Sequence, residues 1–583
     1  MIDERSSDAR TASAAPPSPE PVIQPRTARA VLAVAVIVFA IQGWFLSGAV
    51  MDWNEMLAQF AAPMPFQAVM ADGTVRIDDP CAGRRLVVTE SRPSLLWCAA
   101  GLGWPIQVTP YVGGLHYWPL QLLRPLHHGD PIALRRVTLP IGILALIVVF
   151  LLVERLSDPT RAALFAAVAA VLPAVLILHA LPALYELLPS LLIACAALVI
   201  AKRADIHVPP SPRRAAIAGL LAGLGVLANI KGTVILTAAL AFAWLHSPVL
   251  RRSSRTTVLA ALGAAALGVA PLMVTSAFDP QQRFGHEIVW RLSIALSRLR
   301  PGPLAQELFN LVANAADLGS YFDLALGGDG NVWLVTLVPY ALALGYCVVA
   351  LWRKLRGLPH DAGAAACATL QIAYLVFVWL SYNQVAANYS PIAYVFAVSL
   401  GCAAVAGAGW LATYTRAPRA SLALALLVAT VPLIVNTHRR DQGDIPLSIN
   451  LFAERALGEY LERVPGGTVV VTTNALVGVP EAFAGIRSVR LDLALSGCPG
   501  TESEAAGCRH EVLVQTIKTL KQGRFVVPMV TGPVDKSWEQ RMVPALSAAA
   551  EALQTHLEEE ARFTTRDGKP ALALMRVAAP PSP

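Results

Sequence analysis

The sequence predicts a membrane α-helical bundle of about eleven transmembrane helices, followed by a small C-terminal α/β domain. Three observations carry this expectation. Of the 583 residues, 55% are hydrophobic and 15% charged, against roughly a quarter charged in soluble globular chains. Mean hydropathy is +0.54. Apolar runs of near-bilayer length recur up to residue 436, after which short strand-like and helix-like segments alternate. This composition excludes a disordered chain, a purely aqueous enzyme, and nucleic-acid binding as a main occupation. The net charge of +7 sits in short Lys and Arg clusters between apolar runs rather than along one face.

Residues 1–29, rich in Pro, Ser, Ala and Arg, read as a disordered cytoplasmic lead. The apolar run after Arg29 is too long for a signal-peptide core and has no small-x-small cleavage site before Asp52, so it reads as a retained first span. Spans are expected near 30–50, 137–154, 161–179, 184–201, 214–230, 232–246, 257–277, 332–352, 364–381, 389–411 and 420–436. Together, residues 30–436 form one membrane module.

Orientation follows from the Lys and Arg residues of the short connections, which stay cytoplasmic. Arg26 and Arg29 precede the first span; Arg155 and Arg161 follow the second. Lys202, Arg203, Arg213, Arg214, Arg251, Arg252, Arg255, Arg353, Lys354, Arg356, Arg416 and Arg419 fall on the same side. The long segments 51–136 and 278–331 and the tail from 437 are then outside. His438, Arg439 and Arg440 break the rule just beyond the last span; one miscounted helix would move the tail inside.

Cysteine usage tests this separately. Cys195, Cys347, Cys367 and Cys402 fall in spans, whereas Cys81, Cys98, Cys498 and Cys508 fall in outer segments. An even outer set suits disulfides, with Cys81–Cys98 and Cys498–Cys508 the local pairings among three possible connectivities.

In the tail, 437–583, residues 450–463 have helical spacing, 468–473 read as a buried strand, and 488–495 alternate. A helix through 510–523 leads into a strand at 525–530. A long helix near 536–560 and a hairpin across Asp567-Gly568 complete a small α/β domain.

Chemistry-bearing residues gather at the outer interface. Asp52 and Glu55 in VMDWNEML share a helix face if the first helix continues or restarts there, and a carboxylate beside Trp53 can serve as a general base or simply end a helix. Glu186 leads into the fourth span near His179 and Tyr185, where a charge is costly; it is a binding residue or a snorkelling helix end. Lys231 in GLLAGLGVLANIKG occupies a turn too tight to hide in, and at head-group depth it can neutralise a lipid phosphate. In QQRFGHEIVWRLSIALSRLR, Arg283 and Arg291 belong to an amphipathic interfacial helix and face either phosphate or anionic lipid. His116 and Tyr117 precede the second span as a substrate contact or an aromatic belt. No Cys/His metal spacing and no glycine-rich phosphate loop occurs in the tail.

Taken together, these pieces resemble the polytopic GT-C glycosyltransferases that use polyprenyl-phosphate sugars, the superfamily of protein O-mannosyltransferases and the lipid A aminoarabinose transferase. The resemblance covers about residues 30–436. It rests on Asp52 just after the first span, YVGGLHYWPLQLL before a second span with Arg135 and Arg136, the glycine-rich segment ending in Lys231, and NYSPIAYVFAVSL with Tyr389 before a late span. It implies a GT-C-like bundle with an extracytoplasmic tail and an inverting transfer on the outer face of a bacterial inner membrane. The partners implied are a polyprenyl-phosphate sugar, membrane lipids and an envelope glycan, lipid or protein acceptor, with no nucleic acid. Asp52, or Glu55, is then the base or orienting carboxylate, Lys231 with Arg283 and Arg291 meets the donor phosphate, and His116, Tyr117, Glu186 and Tyr389 line the substrate. Family members often have two adjacent acids where Trp53 and Asn54 separate Asp52 from Glu55, which leaves Asp78-Asp79 as a fallback. No cofactor is expected, and a divalent metal is compatible with the outer acids. The rival readings are a multi-span transporter, which usually shows internal repeats, and an inactive scaffold of an envelope glycan assembly.

Overall fold

The computed structural model describes residues 23–46, strands and short helices between 66 and 127, 131–156, 158–171, 184–201, 209–229, 253–278, 345–361, 451–464, 470–472, 488–491, 502–520, 523–528, 536–564 and 570–578, with isolated positions elsewhere. In chain order the helices are α1 (Pro25–Leu46), α2 (Tyr117–Leu122), α3 (Arg124–His127), α4 (Pro131–Leu156), α5 (Pro159–Ala169), α6 (Leu184–Ile200), α7 (Pro212–Ala228) and α8 (Arg255–Phe278). They continue with α9 (345–355), α10 (Leu451–Glu462), α11 (Glu502–Thr519) and α12 (Lys536–Ala552). Among the described residues three stretches are long and apolar enough to cross a membrane: Pro25–Phe45, Arg135–Arg155 and Arg255–Val274. The expected spans at 232–246, 389–411 and 420–436 lie outside the described residues. So do most residues of the spans expected at 332–352 and 364–381.

Two boundaries differ from expectation. Helix α1 starts at Pro25, inside the segment read as disordered, because proline is well suited to a first helical position and an alanine-rich apolar run follows. Helix α4 extends outward to Pro131 and so includes Arg135, which is completely buried.

The basic connections gather at one end of the bundle. The Ile23 amide donates to Thr160 Oγ1 at 3.0 Å, tying the start of α1 to the α4–α5 turn. Arg155 on α4 donates to the Leu198 and Ala201 carbonyls at 3.0 and 3.1 Å, and Arg214 on α7 reaches the Val199 carbonyl. These guanidinium groups satisfy carbonyls that the last turn of α6 leaves without helical partners. Arg161 pairs with Asp361, whose Oδ1 also accepts the Ala364 amide at 3.0 Å.

Helices α7 and α8 are joined backbone to backbone. A Cβ on Gly219 would lie 2.1 Å from the Ala261 carbonyl oxygen, and one on Gly223 would lie 2.3 Å from that of Ala265. Gly219-x-x-x-Gly223 faces Ala261-x-x-x-Ala265, the small-residue pattern that lets membrane helices approach closely. The increasing register makes the pair parallel, so Asn229 and Phe278 end on one side. Gly225 fits against Ile193 Cγ1 and the Pro189 carbonyl of α6.

The second half of the fold is a sheet. Its strands are β1 (Phe66–Val69), β2 (Val75–Asp78), β7 (Val470–Thr472), β8 (Ser488–Arg490), β9 (Arg524–Pro528), β10 (His556–Thr564) and β11 (Pro570–Ala578), ordered β10-β11-β9-β7-β8-β1-β2. The core strands β9, β7, β8 and β1 are parallel, with antiparallel pairs at both edges. Two of its strands come from the first outer loop: Gln67 pairs with Val489, and Val69 is fully buried among Val471, Val489, Val512 and Phe525. A hydrogen-bonded sheet does not cross lipid. The loop and the tail therefore share one side, which requires an even number of crossings between them.

The same loop forms a second, antiparallel sheet of β3 (Leu86–Val88), β4 (Leu95–Ala99), β5 (Leu102–Thr109) and β6 (Val112–Gly113). In the tail, the helix expected to run to residue 560 stops at Ala552. Gln554 takes φ 55°, and 556–559 pair with β11 instead. The glutamates there look helical by propensity, but cross-strand bonds such as Arg576 to Glu558 at 2.9 Å favour the strand. Gly568, at φ 81°, closes the β10–β11 hairpin. A single buried cluster runs from Ala145, Val148, Leu187 and Leu191 of α4 and α6 to Leu457, Val526, Phe563 and Leu572, so the tail rests on the bundle.

Candidate functional site

The site begins with a glycine. Strand β6 ends at Gly113, and the 3-10 turn Gly114–His116 follows before α2 opens at Tyr117. A Cβ on Gly113 would stand 1.9 Å from the Leu227 carbonyl oxygen, so only glycine allows this approach to the end of α7. The turn also touches α6, the helix that contains Glu186. Helix α7 ends at Asn229, where the backbone becomes extended (φ −156°, ψ 133°) and the amide still bonds the Gly225 carbonyl at 3.3 Å. Asn229 is buried, and Lys231 follows two residues later. The turn bearing His116 thus lies against the end of α7, reached from a separate stretch of chain.

A separate contact joins the C-terminal end of α1 to the first turns of α4. Arg136 stacks over Trp44 of α1, with its guanidinium carbon 4.2 Å from the ring centroid, while neighbouring Arg135 is completely buried. Successive helical residues are about 100° apart around the axis, so one arginine points inward and the other ties two helix ends together. Sequence marked the pair but not this division.

Asp52, Glu55, Lys231, Arg283, Arg291, Tyr389 and Cys81 lie outside the described residues. Cys498 and Cys508 form a disulfide with Cα atoms 5.6 Å apart. Cys98 on β4 is also disulfide-bonded, while Cys195 and Cys347 in the helices form no disulfide. No group of three His, Cys, Asp or Glu suited to a metal occurs among the described residues.

A second polar cluster, in the tail, has no sequence signal because its members are up to 100 residues apart. Arg524 donates from Nε to Glu560 Oε2 at 2.7 Å, and the Tyr460 hydroxyl donates to Glu560 Oε1 at 3.0 Å. Burial pushes the Glu560 carboxyl up, but the bonds from Arg524 and Tyr460 outweigh it and hold the group below the usual carboxylate range. Burial first, and then Glu560, push the Tyr460 hydroxyl up.

No family model matches the sequence, and no curated protein matches it. Among solved structures, the chain is similar to ArnT from Cupriavidus metallidurans bound to undecaprenyl phosphate, at 11% identity and a TM-score of 0.52, over 95% of this chain and 98% of that one. The same enzyme in the apo state aligns at 11% identity and a TM-score of 0.50, over 94% and 97%. The Archaeoglobus fulgidus oligosaccharyltransferase in complex with Zn and sulfate aligns at 14% identity and a TM-score of 0.44, over 93% and 73%. The fold of this chain is similar to that of ArnT over nearly its whole length. The likeness to ArnT leaves too little of the chain over to omit the tail. It therefore takes in the bundle, the first outer loop and the sheet that this loop shares with the tail.

Proposed function

We propose that the chain is a membrane glycosyltransferase that moves a sugar from a polyprenyl-phosphate donor to an envelope acceptor at the outer face of a bacterial inner membrane. The observation that supports this reading is the docking of the Gly113–His116 turn on the C-terminal end of α7, the helix whose chain continues to Lys231. The ArnT likeness supports it, since that enzyme is described with undecaprenyl phosphate bound. Disulfides at Cys98 and Cys498–Cys508 support an oxidising compartment for the side that bears this contact.

In the reaction, the acceptor hydroxyl oxygen attacks the anomeric carbon as the bond from that carbon to the phosphate oxygen breaks. Polyprenyl phosphate leaves with the electron pair, and Asp52 takes the acceptor's proton. Lys231, with Arg283 and Arg291, stabilises the charge on the departing phosphate. Direct displacement inverts the anomeric centre. An acceptor that is itself a phosphate needs no base, and Asp52 then orients it.

The test is turnover of a panel of polyprenyl-phosphate sugars by purified protein in lipid nanodiscs, wild type beside Asp52→Asn. Consumption of one donor by the wild type, lost in a folded Asp52→Asn protein, is the expected result. Undiminished consumption would move the base to Glu55 or Asp79. Failure of the wild type to consume any donor, with glycan, lipid and protein acceptors supplied, would overturn the transferase reading.

A further inference from the structure

Between the turn docked on α7 and the start of α4 the chain is helical but too short to cross lipid. Helix α2 covers Tyr117–Leu122 and α3 covers Arg124–His127. The Leu123 amide donates to the Pro119 carbonyl at 3.0 Å and the Leu126 amide to that of Leu123 at 2.9 Å, so the helical turn persists through the junction. At 1.5 Å per residue the pair is about 16 Å long, against about 30 Å for a hydrocarbon core. Its height is set at both ends. The preceding turn meets the C-terminal end of α7 at Gly113, and β5, which α2 touches, meets α8. At the other end α3 packs on α4. Helices α4 and α8 both carry stretches long and apolar enough to cross a membrane.

The segment has two unlike sides. Leu115, Pro119 and Leu123 are half-buried. Trp118, Leu122 and Leu126 are 39, 68 and 64% exposed. Residues four apart share a helix face, so these three form one exposed apolar edge, which water does not favour. Charge points to the same partner. No Asp or Glu occurs from Ser91 to Gly129, whereas Arg92, Arg124, His127 and His128 do, so the stretch meets lipid phosphates without repulsion. A tryptophan beside leucines and basic residues is the composition of a helix lying at head-group depth. We infer that α2 and α3 form one amphipathic foot in the plane of the lipid–water interface, with Trp118, Leu122 and Leu126 inserted into the leaflet on the loop's side. Its partner is the phospholipid surface. The foot crosses nothing; it fixes the height of the first outer loop above the lipid, because the Gly113 turn runs directly into it. This role is independent of the transferase reading: a transporter or scaffold with this loop would be anchored in the same way.

The experiment isolates the emission of Trp118 as the difference between wild type and Trp118→Phe, both full-length in nanodiscs of brominated phosphatidylcholine. Bromines near the head-group end of the acyl chains are expected to quench most of the difference emission, and bromines near the chain ends to quench it less. Stronger quenching by the deep bromines overturns the in-plane placement, and no quenching by either overturns the proposal. Leu122→Glu combined with Leu126→Glu provides the second measurement. The two charges are expected to restore the Trp118 emission and to speed hydrogen exchange of 117–127, while exchange of β9 in the tail stays as in the wild type. Quenching that survives both charges overturns the role of the apolar edge. An unquenched Trp118 in a protein that is dimeric in detergent, and that the two glutamates make monomeric, also overturns the proposal and assigns the edge to a second copy of this chain.

Discussion

The α7–α8 pair and the tail sheet pack by opposite rules. In the helix pair the contact surface is Gly219, Gly223, Ala261, Ala265 and Gly268, and backbone meets backbone. In the tail the core is Phe525, Val526, Val527, Leu546, Leu572 and Leu574, all 0 or 1% exposed. The solvent explains the difference. Lipid chains are as apolar as leucine, so burying large side chains between membrane helices contributes little, and close approach through small residues decides the contact. The tail core is built instead from large aliphatic and aromatic groups, each of which contributes on burial through the hydrophobic effect. The first outer loop obeys both rules: Val69 fills the aqueous core, whereas bare Gly113 abuts a helix end.

This contrast is sharpest where the two regions should respond to opposite changes. The tail should suffer from losing volume: Phe525→Ala is expected to destabilise it by about 3–5 kcal/mol, read by hydrogen exchange of β9. The helix pair should suffer from gaining volume. Gly219→Ala is expected to cost about 1–3 kcal/mol by overpacking, read by thermal exposure of the Cys195 and Cys347 thiols, whereas Gly263→Ala should be neutral or slightly stabilising. Equal sensitivity of both glycines would break the comparison.

A smaller effect concerns pH, again in the aqueous region alone. Because the Glu560 carboxyl is held below its ordinary range, its stabilising contribution is fully present above the unfolded carboxylate value of about 4.3. It is lost as pH falls through the lower folded value. Wild type should therefore exceed Glu560→Gln in stability at neutral pH, and the gap should close on acidification. A gap that persists unchanged below about pH 3 would show that the effect is packing rather than ionisation.

Much of the architecture was legible in particular residues. The start of α7, two residues ahead of the expected span, is set locally, since Ser211 caps the helix and proline suits its first turn. Among the described residues, Arg155, Arg161 and Arg214 gather at one end of the bundle. Helical propensity misled at β10, where the run from His556 to Glu559 pairs with a strand that local preference does not see. At the candidate site the motif around His116 was legible, but the docking of its turn on the end of α7 was not. Periodicity reports which face of a segment is apolar, not which distant segment will cover it.

By itself, the sequence determined where long apolar helices run and where strands and helices alternate. Tertiary structure alone decided that β1 and β2 leave their loop to complete the tail sheet, that Arg135 is buried while Arg136 stacks on Trp44, and that Gly113 meets Leu227. The physical reason is that composition and spacing act over neighbouring residues, whereas strand pairing and helix-end contacts join residues that are distant in the chain and become neighbours only when the whole fold closes.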